Sequence, residues 1–235
     1  MAGLHGPVRG QRGTVDGSLW ALLDRRFSCR AYLDRAVPRD DIEQMLALAQ
    51  RTASWCNTQP WEVHVTGPAA TRRLGAALTA AARAGVRNPD LEWPAAYEGV
   101  YRDRRREAGF GLYAALGIAR DDVSARTAQA LLNFDFFGAP HTAIITSDTR
   151  LGTYGAVDCG GYVATLLLAA ESLGIATIAQ AAIASVSGVV REELGLAPDR
   201  QVVCAVSFGY ADEDAAVNAF RTTRADVRDA VHWID

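Results

Sequence analysis

Arg25, Arg26 and Arg30 stand together near the start of the chain with Phe27 and Ser28 between them, and Arg221 and Arg224 stand near its end. A guanidinium stays charged and offers paired N–H donors in a fixed fork, so such clusters suit a phosphate. Ser28 would add a hydroxyl donor. A third stretch, Ser54-Trp55-Cys56-Asn57-Thr58-Gln59-Pro60-Trp61, gathers two Trp, two amides and a proline into eight residues. Asn57 and Gln59 each carry donor and acceptor, which lets them read the edge of a flat heteroaromatic ring. Pro60 directs Gln59 toward an extended backbone. A phosphate carrying a flat polar ring would suit the three stretches together. The plainer alternative makes the arginines surface charges and the loop a helix-to-strand connection whose Trp rings fill the core. Composition leaves both open.

The rest of the composition narrows the chemistry by exclusion. The net charge of −3 argues against a nucleic-acid partner. All 24 basic residues are Arg. Without Lys, neither a Walker A loop nor a Schiff-base lysine for pyridoxal phosphate is possible. Cys29, Cys56, Cys159 and Cys204 are scattered with no C-x-x-C, which reads as small buried thiols in a reducing compartment. His5, His64, His141 and His232 show no metal-ligand spacing, so no metal is expected. The N-terminus lacks the apolar core of a signal peptide, and the longest apolar run, residues 160–170, is too short to cross a bilayer. A cytoplasmic protein with no membrane contact is the expectation.

Several elements must position these groups. Residues 1–17, rich in Gly, read as a poorly ordered leader, and 18–235 as one α+β domain. Ser18 can cap a helix through Leu19, Trp20, Leu22 and Leu23. From Asp40 a second helix carries Ile42, Met45, Leu46 and Ala49 on one face and delivers the chain to the Trp55 loop. Residues 62–66, 142–146 and 202–208 read as strands. Residues 69–84 and 189–194 are helical, closed by Gly85 and Gly195. The 157–173 helix is apolar nearly all round, so it must be covered on most sides, centrally or by a second subunit. Gly109 to Ala114 matches a loose dinucleotide pattern, but no strand precedes it, and the pattern is discarded. The run Arg102 to Glu107 reads as a solvated helix face.

Three motifs in order resemble those of the FMN-dependent nitroreductase family. Arg26-Phe27-Ser28-Cys29-Arg30-Ala31-Tyr32 is similar to that family's R-x-S-x-R-x-[FY] opening, and Ser54 to Trp61 to its P-S-x-x-N-x-Q-P-W element. The likeness continues through residues 202–210 and Asn218, Arg221 and Arg224, and so spans about Leu19 to Trp233. The resemblance implies a nitroreductase-like α+β fold, a central mostly antiparallel sheet flanked by helices, in an intertwined homodimer. It also implies an oxidoreductase drawing hydride from NADH or NADPH and reducing a nitroaromatic, a quinone or another small electrophile. A flavin-dependent dehydrogenase or reductive dehalogenase, and a non-catalytic flavin-binding protein, remain alternatives.

Carried over by position, the family pattern assigns FMN contacts to Arg26, Phe27, Ser28 and Arg30, with Arg221 and Arg224 completing the phosphate end. Ser54, Trp55, Asn57 and Gln59 would meet the flavin held mainly by the other subunit. Ala179, Gln180, Ala181 and Ala182 would pass backbone amides along the ring's N5 edge. Trp55, Tyr97, Tyr101 and Arg105 become the candidate substrate walls. No side chain stands out as a catalytic acid or base, as expected where the cofactor carries the chemistry. Two positions depart from the pattern. Ala53 replaces the family's Pro and Trp55 a small residue, which would narrow the substrate slot. Thr222 and Thr223 leave the C-terminal cluster less positive, and FMN correspondingly less tightly held.

Overall fold

A computed structural model describes residues 18–234. The leader expected over 1–17 lies outside those residues. The chain runs α1 (Leu19–Arg25), α2 (Arg39–Ala49), β1 (Glu62–Thr66), α3 (Pro68–Arg83), α4 (Gly99–Ala115), α5 (Val123–Leu131), β2 (His141–Asp148), α6 (Gly152–Ser172), β3 (Ala176–Gln180), α7 (Ser187–Leu194), β4 (Arg200–Gly209) and α8 (Ala216–Ala219). Local chemistry sets several ends. The Ser18 hydroxyl accepts from the Ala21 N–H at 3.3 Å and opens α1. Gly195, at φ +62, closes α7 in the left-handed conformation that a side chain resists.

The four strands pair in the order β1-β2-β4-β3, and every pairing among them is antiparallel. Alternation along the strands sends side chains into two cores. Ala143, Ile145, Val206 and Phe208 face α2 and α6, where Met45, Tyr162 and Leu166 are buried. Ile144, Val202 and Ala205 face α3 and α7, meeting Leu74, Leu78 and Val190. Each such fully buried aliphatic side chain contributes about 1.5–3 kcal/mol. The result is a helix–sheet–helix stack, as expected of the α+β reading. The sheet ends on β3, whose outer edge is extended by one parallel bridge from Ser28 to Thr177.

Three local expectations change. Helix α6 begins at Gly152, earlier than read, and one chain alone does not cover it all round, which leaves cover by a second subunit open. Tyr162, Leu166 and Ala170 are buried, while Tyr154, Val157, Gly160, Gly161 and Ala164 remain exposed. Helix α5 was not read from the sequence, and none of its residues, Val123 to Leu131, is buried. Helix α4 likewise buries none of its residues and stands off the sheet. No helix of the described residues is long and apolar enough to cross a membrane.

Candidate functional site

The two arginine clusters meet. Helix α1 ends at Arg25, and the chain then lies along β3, where the Cys29 N–H donates to the Thr177 carbonyl at 3.0 Å. Asn218, buried in α8, staples this segment to the C-terminal one. Its Oδ1 accepts from the Arg30 N–H at 2.8 Å, and its Nδ2 donates to the carbonyls of Ala31 and Asp212, each at 2.8 Å. Arg26, Phe27, Ser28, Arg30, Arg221 and Arg224 consequently line one cavity of about 360 Å³. The Arg221 guanidinium lies 4.0 Å from the Phe27 ring centroid and donates to the Asn218 carbonyl at 2.6 Å. Arg224 donates to the Thr222 hydroxyl and to the Thr223 carbonyl, both at 2.7 Å.

The electrostatics point to an anion. Arg26 has its pKa lowered, first by burial and then by Arg224, with Arg221 adding to the repulsion and Glu171 opposing it. Glu171 is itself held by Arg25 at 3.2 Å. Arg30 is lowered mainly by burial. Guanidiniums gathered in this way are relieved by a dianionic group with several acceptor oxygens. The residues present therefore fit the phosphate end of FMN. Thr222, read as a deficit of charge, instead orients Arg224.

Beside this cavity runs the β3 edge. The Thr177 carbonyl points outward to Cys29, so the backbone two residues on, at Ala179, also points away from β4. Ala179 and Ala181 are exposed there, and Ala182 is half-buried. Gln180 differs. It is buried, its Nε2 donates to the Asn133 carbonyl at 2.8 Å, and its Oε1 accepts from the Ser207 hydroxyl. Its side chain locks the end of β3 and leaves the backbone of its neighbours to face a ligand.

The Trp55 loop divides between its two readings. Trp61 is buried and stacks on Tyr162 at 4.9 Å, while Trp55 is 63% exposed and leans on Tyr154, also at 4.9 Å. The Trp55 N–H donates to the Asp158 carboxylate at 3.2 Å. Gln59 is left-handed (φ +46), not extended, and Cys56 and Asn57 share that handedness. The Ser54 hydroxyl holds the Gln59 N–H at 2.9 Å and so overrides the preference set by Pro60. The Gln59 side chain is committed within the loop, donating to the Asn57 carbonyl at 3.2 Å and accepting from Gln50 at 3.1 Å. Gln50, missed in the sequence, also accepts from the Trp61 indole at 3.0 Å. Arg200 fixes the loop's end by donating to the Pro60 carbonyl at 3.1 Å.

Within one chain the loop and the guanidinium cavity are separate. The loop meets α6 at Tyr154 and Asp158, whereas the cavity sits near Glu171, roughly 20 Å along the helix at about 1.5 Å per residue. The substrate candidates are not united either. Arg105 lies 5.3 Å over the Tyr97 ring and Tyr101 is exposed, while Trp55 packs on Tyr154 instead. Cys29 and Cys159 are buried and Cys204 is half-buried, as read, but Cys56 is exposed. Burial pushes the Cys159 thiol up to about 11 and Cys204 to about 12, which makes both inert as nucleophiles at neutral pH.

The nitroreductase family model matches residues 23–210. The chain is 37% identical to nitroreductase NfnB of Mycolicibacterium smegmatis over 215 residues, covering 90% of this chain and 91% of that one. It is 33% identical to 4-nitrobenzoate reductase of Pseudomonas putida, covering 91% and 94%. The solved FMN and NADPH-dependent nitroreductase NfnB from sphigopyxis sp. strain HMH superposes with a TM-score of 0.89 at 32% identity, over 93% of this chain and 99% of that one. With the motifs, the sheet order and these likenesses in agreement, the chain belongs to the nitroreductase family.

Proposed function

We propose that this chain is an FMN-dependent oxidoreductase that uses NADH or NADPH to reduce small nitroaromatic compounds, quinones and similar electrophiles. The observation that carries the reading is the cavity where Arg26, Ser28, Arg30, Arg221 and Arg224 converge from opposite ends of the chain. When bound there, FMN supplies the redox chemistry, accepting hydride from the nicotinamide and delivering electrons to the acceptor. The guanidiniums neutralise its phosphate, and the Ser28 hydroxyl adds a donor. The exposed backbone at Ala179, Ala181 and Ala182 offers N–H groups along the neighbouring edge. The relatives' dependence on FMN and NADPH and their nitroaromatic substrates support the same activity.

The reading includes a homodimer of one-domain subunits in the cytoplasm. The separation of the Trp55 loop from the guanidinium cavity along α6 supports completion of each site by the loop of a second copy, with Ser54, Trp55 and Asn57 at its rim. The exposed α6 face and exposed Trp20, at 86%, supply apolar surface for that contact. Four free cysteines fit a reducing compartment.

The test is optical. Purified protein reconstituted with FMN is bleached anaerobically by NADPH or NADH and recovers its flavin absorbance when 4-nitrobenzoate or a quinone is added. A colourless protein that takes up no FMN defeats the proposal. Bleaching without turnover of any acceptor makes the chain a flavin-binding protein instead.

A further inference from the structure

The 220–225 segment has a second cavity on its other side. This one, about 670 Å³, lies between the segment and α4 and is lined by Arg104, Glu107, Thr223, Arg224 and Asp229, among others. Phe220, Arg221, Thr222 and Arg224 border both cavities, so the two adjoin across one wall. Helix α4 approaches that wall as closely as glycine permits. A Cβ on Gly111 would meet the Phe220 ring at 2.8 Å.

The arginines of α4 are not equivalent. Arg102 pairs with Asp103 at 3.1 Å, Arg105 covers Tyr97, and Arg106 lines a different hollow with Phe110 and Arg120. Arg104 alone among these four lines the second cavity, and it makes no hydrogen bond or ion pair among the described residues. Glu107 lines the same cavity but forms no ion pair with Arg104, and it accepts from the Thr223 hydroxyl at 2.7 Å. The cavity is therefore lined by an uncommitted guanidinium together with Arg224, which spends only its Nη1 on a hydroxyl and carbonyls. Asp229 and Glu107 also line the cavity, so an anion is held there only by direct contact with the guanidinium forks.

We propose that this cavity takes the 2′-phosphate of NADPH, with Arg104 as the residue that separates NADPH from NADH. The inference rests on the flavin reading of the adjoining cavity. The 2′-phosphate of NADPH is a compact dianion suited to that direct contact, and it is the one group that NADH lacks. Arg, with its planar fork, suits a phosphate monoester better than a lone ammonium would.

The experiment titrates the FMN-loaded protein with adenosine 2′,5′-bisphosphate and with adenosine 5′-monophosphate by calorimetry. It then repeats both titrations on Arg104→Ala and measures the NADPH-to-NADH ratio of kcat/KM. The wild type binds the bisphosphate at least about tenfold more tightly, and Arg104→Ala loses that margin together with about tenfold of the NADPH-to-NADH ratio. Equal affinity for the two nucleotides in the wild type overturns the proposal without any variant. An unchanged nicotinamide ratio in Arg104→Ala overturns it too. Bleaching by NADH with no bisphosphate preference sinks this inference and leaves the flavin reading standing. Protein that takes up no FMN in the loading step overturns the flavin reading, and this inference falls with it.

Discussion

Arg221 holds its guanidinium 4.0 Å above the Phe27 ring, so the two ends of the chain meet in a cation–π contact in the lining of the guanidinium cavity. The ring face fixes a charge whose N–H donors are partly spent on backbone carbonyls, and it does so without supplying a competing anion. Phe27→Leu keeps the apolar bulk and removes the quadrupole, a loss of about 0.5–1 kcal/mol. The dissociation constant for FMN is then expected to rise about two- to fivefold in a fluorescence titration. A variant with wild-type affinity would show that the ring is packing only.

Arg26 makes a sharper prediction because its two effects have opposite signs. Its guanidinium is crowded by Arg224 and Arg221 and is partly buried, which costs the empty protein and benefits the loaded one. Arg26→Ala is expected to weaken FMN by about ten- to a hundredfold, the scale of a charge-assisted hydrogen bond. The thermal midpoint of the FMN-free protein should hold or rise. Thermal melts with and without FMN separate the two effects. Equal destabilisation of both forms would mean that Arg26 is a structural residue and not a phosphate ligand.

Parts of this site were legible in the chain and parts were not, for identifiable physical reasons. Arg26, Arg30, Arg221 and Arg224 could be paired because residue type and order carry phosphate recognition. The Asn218 staple that brings them together is a set of hydrogen bonds from its side-chain amide to distant backbone groups, and nothing in local sequence announces those partners. Gln180 was assigned through the resemblance, for its backbone, while its side chain is claimed from distant segments by Asn133 and Ser207, which local sequence does not announce. Gln59 went wrong by handedness. The local effect of Pro60 was read, while the opposing bond from Ser54 is set by loop closure. Strands β1, β2 and β4 and the helices that flank them followed from periodicity; β3, α5 and α8 did not, and α4 was read only as the solvated face at Arg102 to Glu107. Arg104 was read as one charge of a solvated run, since its cavity exists only once the C-terminal segment crosses α4.

Trp55 tests the shared-site arrangement. Its backbone N–H is anchored on Asp158, and its ring touches Tyr154 while remaining largely exposed. Trp55→Ala keeps the anchor and loses an aromatic contact of about 0.5–1.5 kcal/mol, so the fold should survive. If the ring narrows the slot beside a second copy's flavin, two-ring nitroarenes gain about tenfold in kcat/KM relative to nitrobenzene. The ratio is measured by initial rates at fixed NADPH. No change in it would remove Trp55 from the slot.

His141 sets a pH limit on the fold. It is 4% exposed, stacks on Phe208 at 5.1 Å, and spans two backbone groups. Its Nε2 accepts from the Val37 N–H at 3.0 Å, which requires a lone pair there, so Nδ1 carries the proton and donates to the Thr66 carbonyl at 3.0 Å. Protonating Nε2 would set an N–H against an N–H. Burial likewise lowers the folded pKa, with the Thr66 contact opposing it. The unfolded chain, near the ordinary value of about 6.5, then binds more protons than the folded one as pH falls. Stability from this group is full above about pH 6.5 and is lost progressively as pH drops from there toward the folded value. His141→Gln can keep a donor and an acceptor but does not titrate. It should be less stable than wild type at pH 7.5 and should lose less of its thermal midpoint between pH 7.5 and 5.5. Parallel pH profiles for the two proteins would show that some other group governs the acid limb.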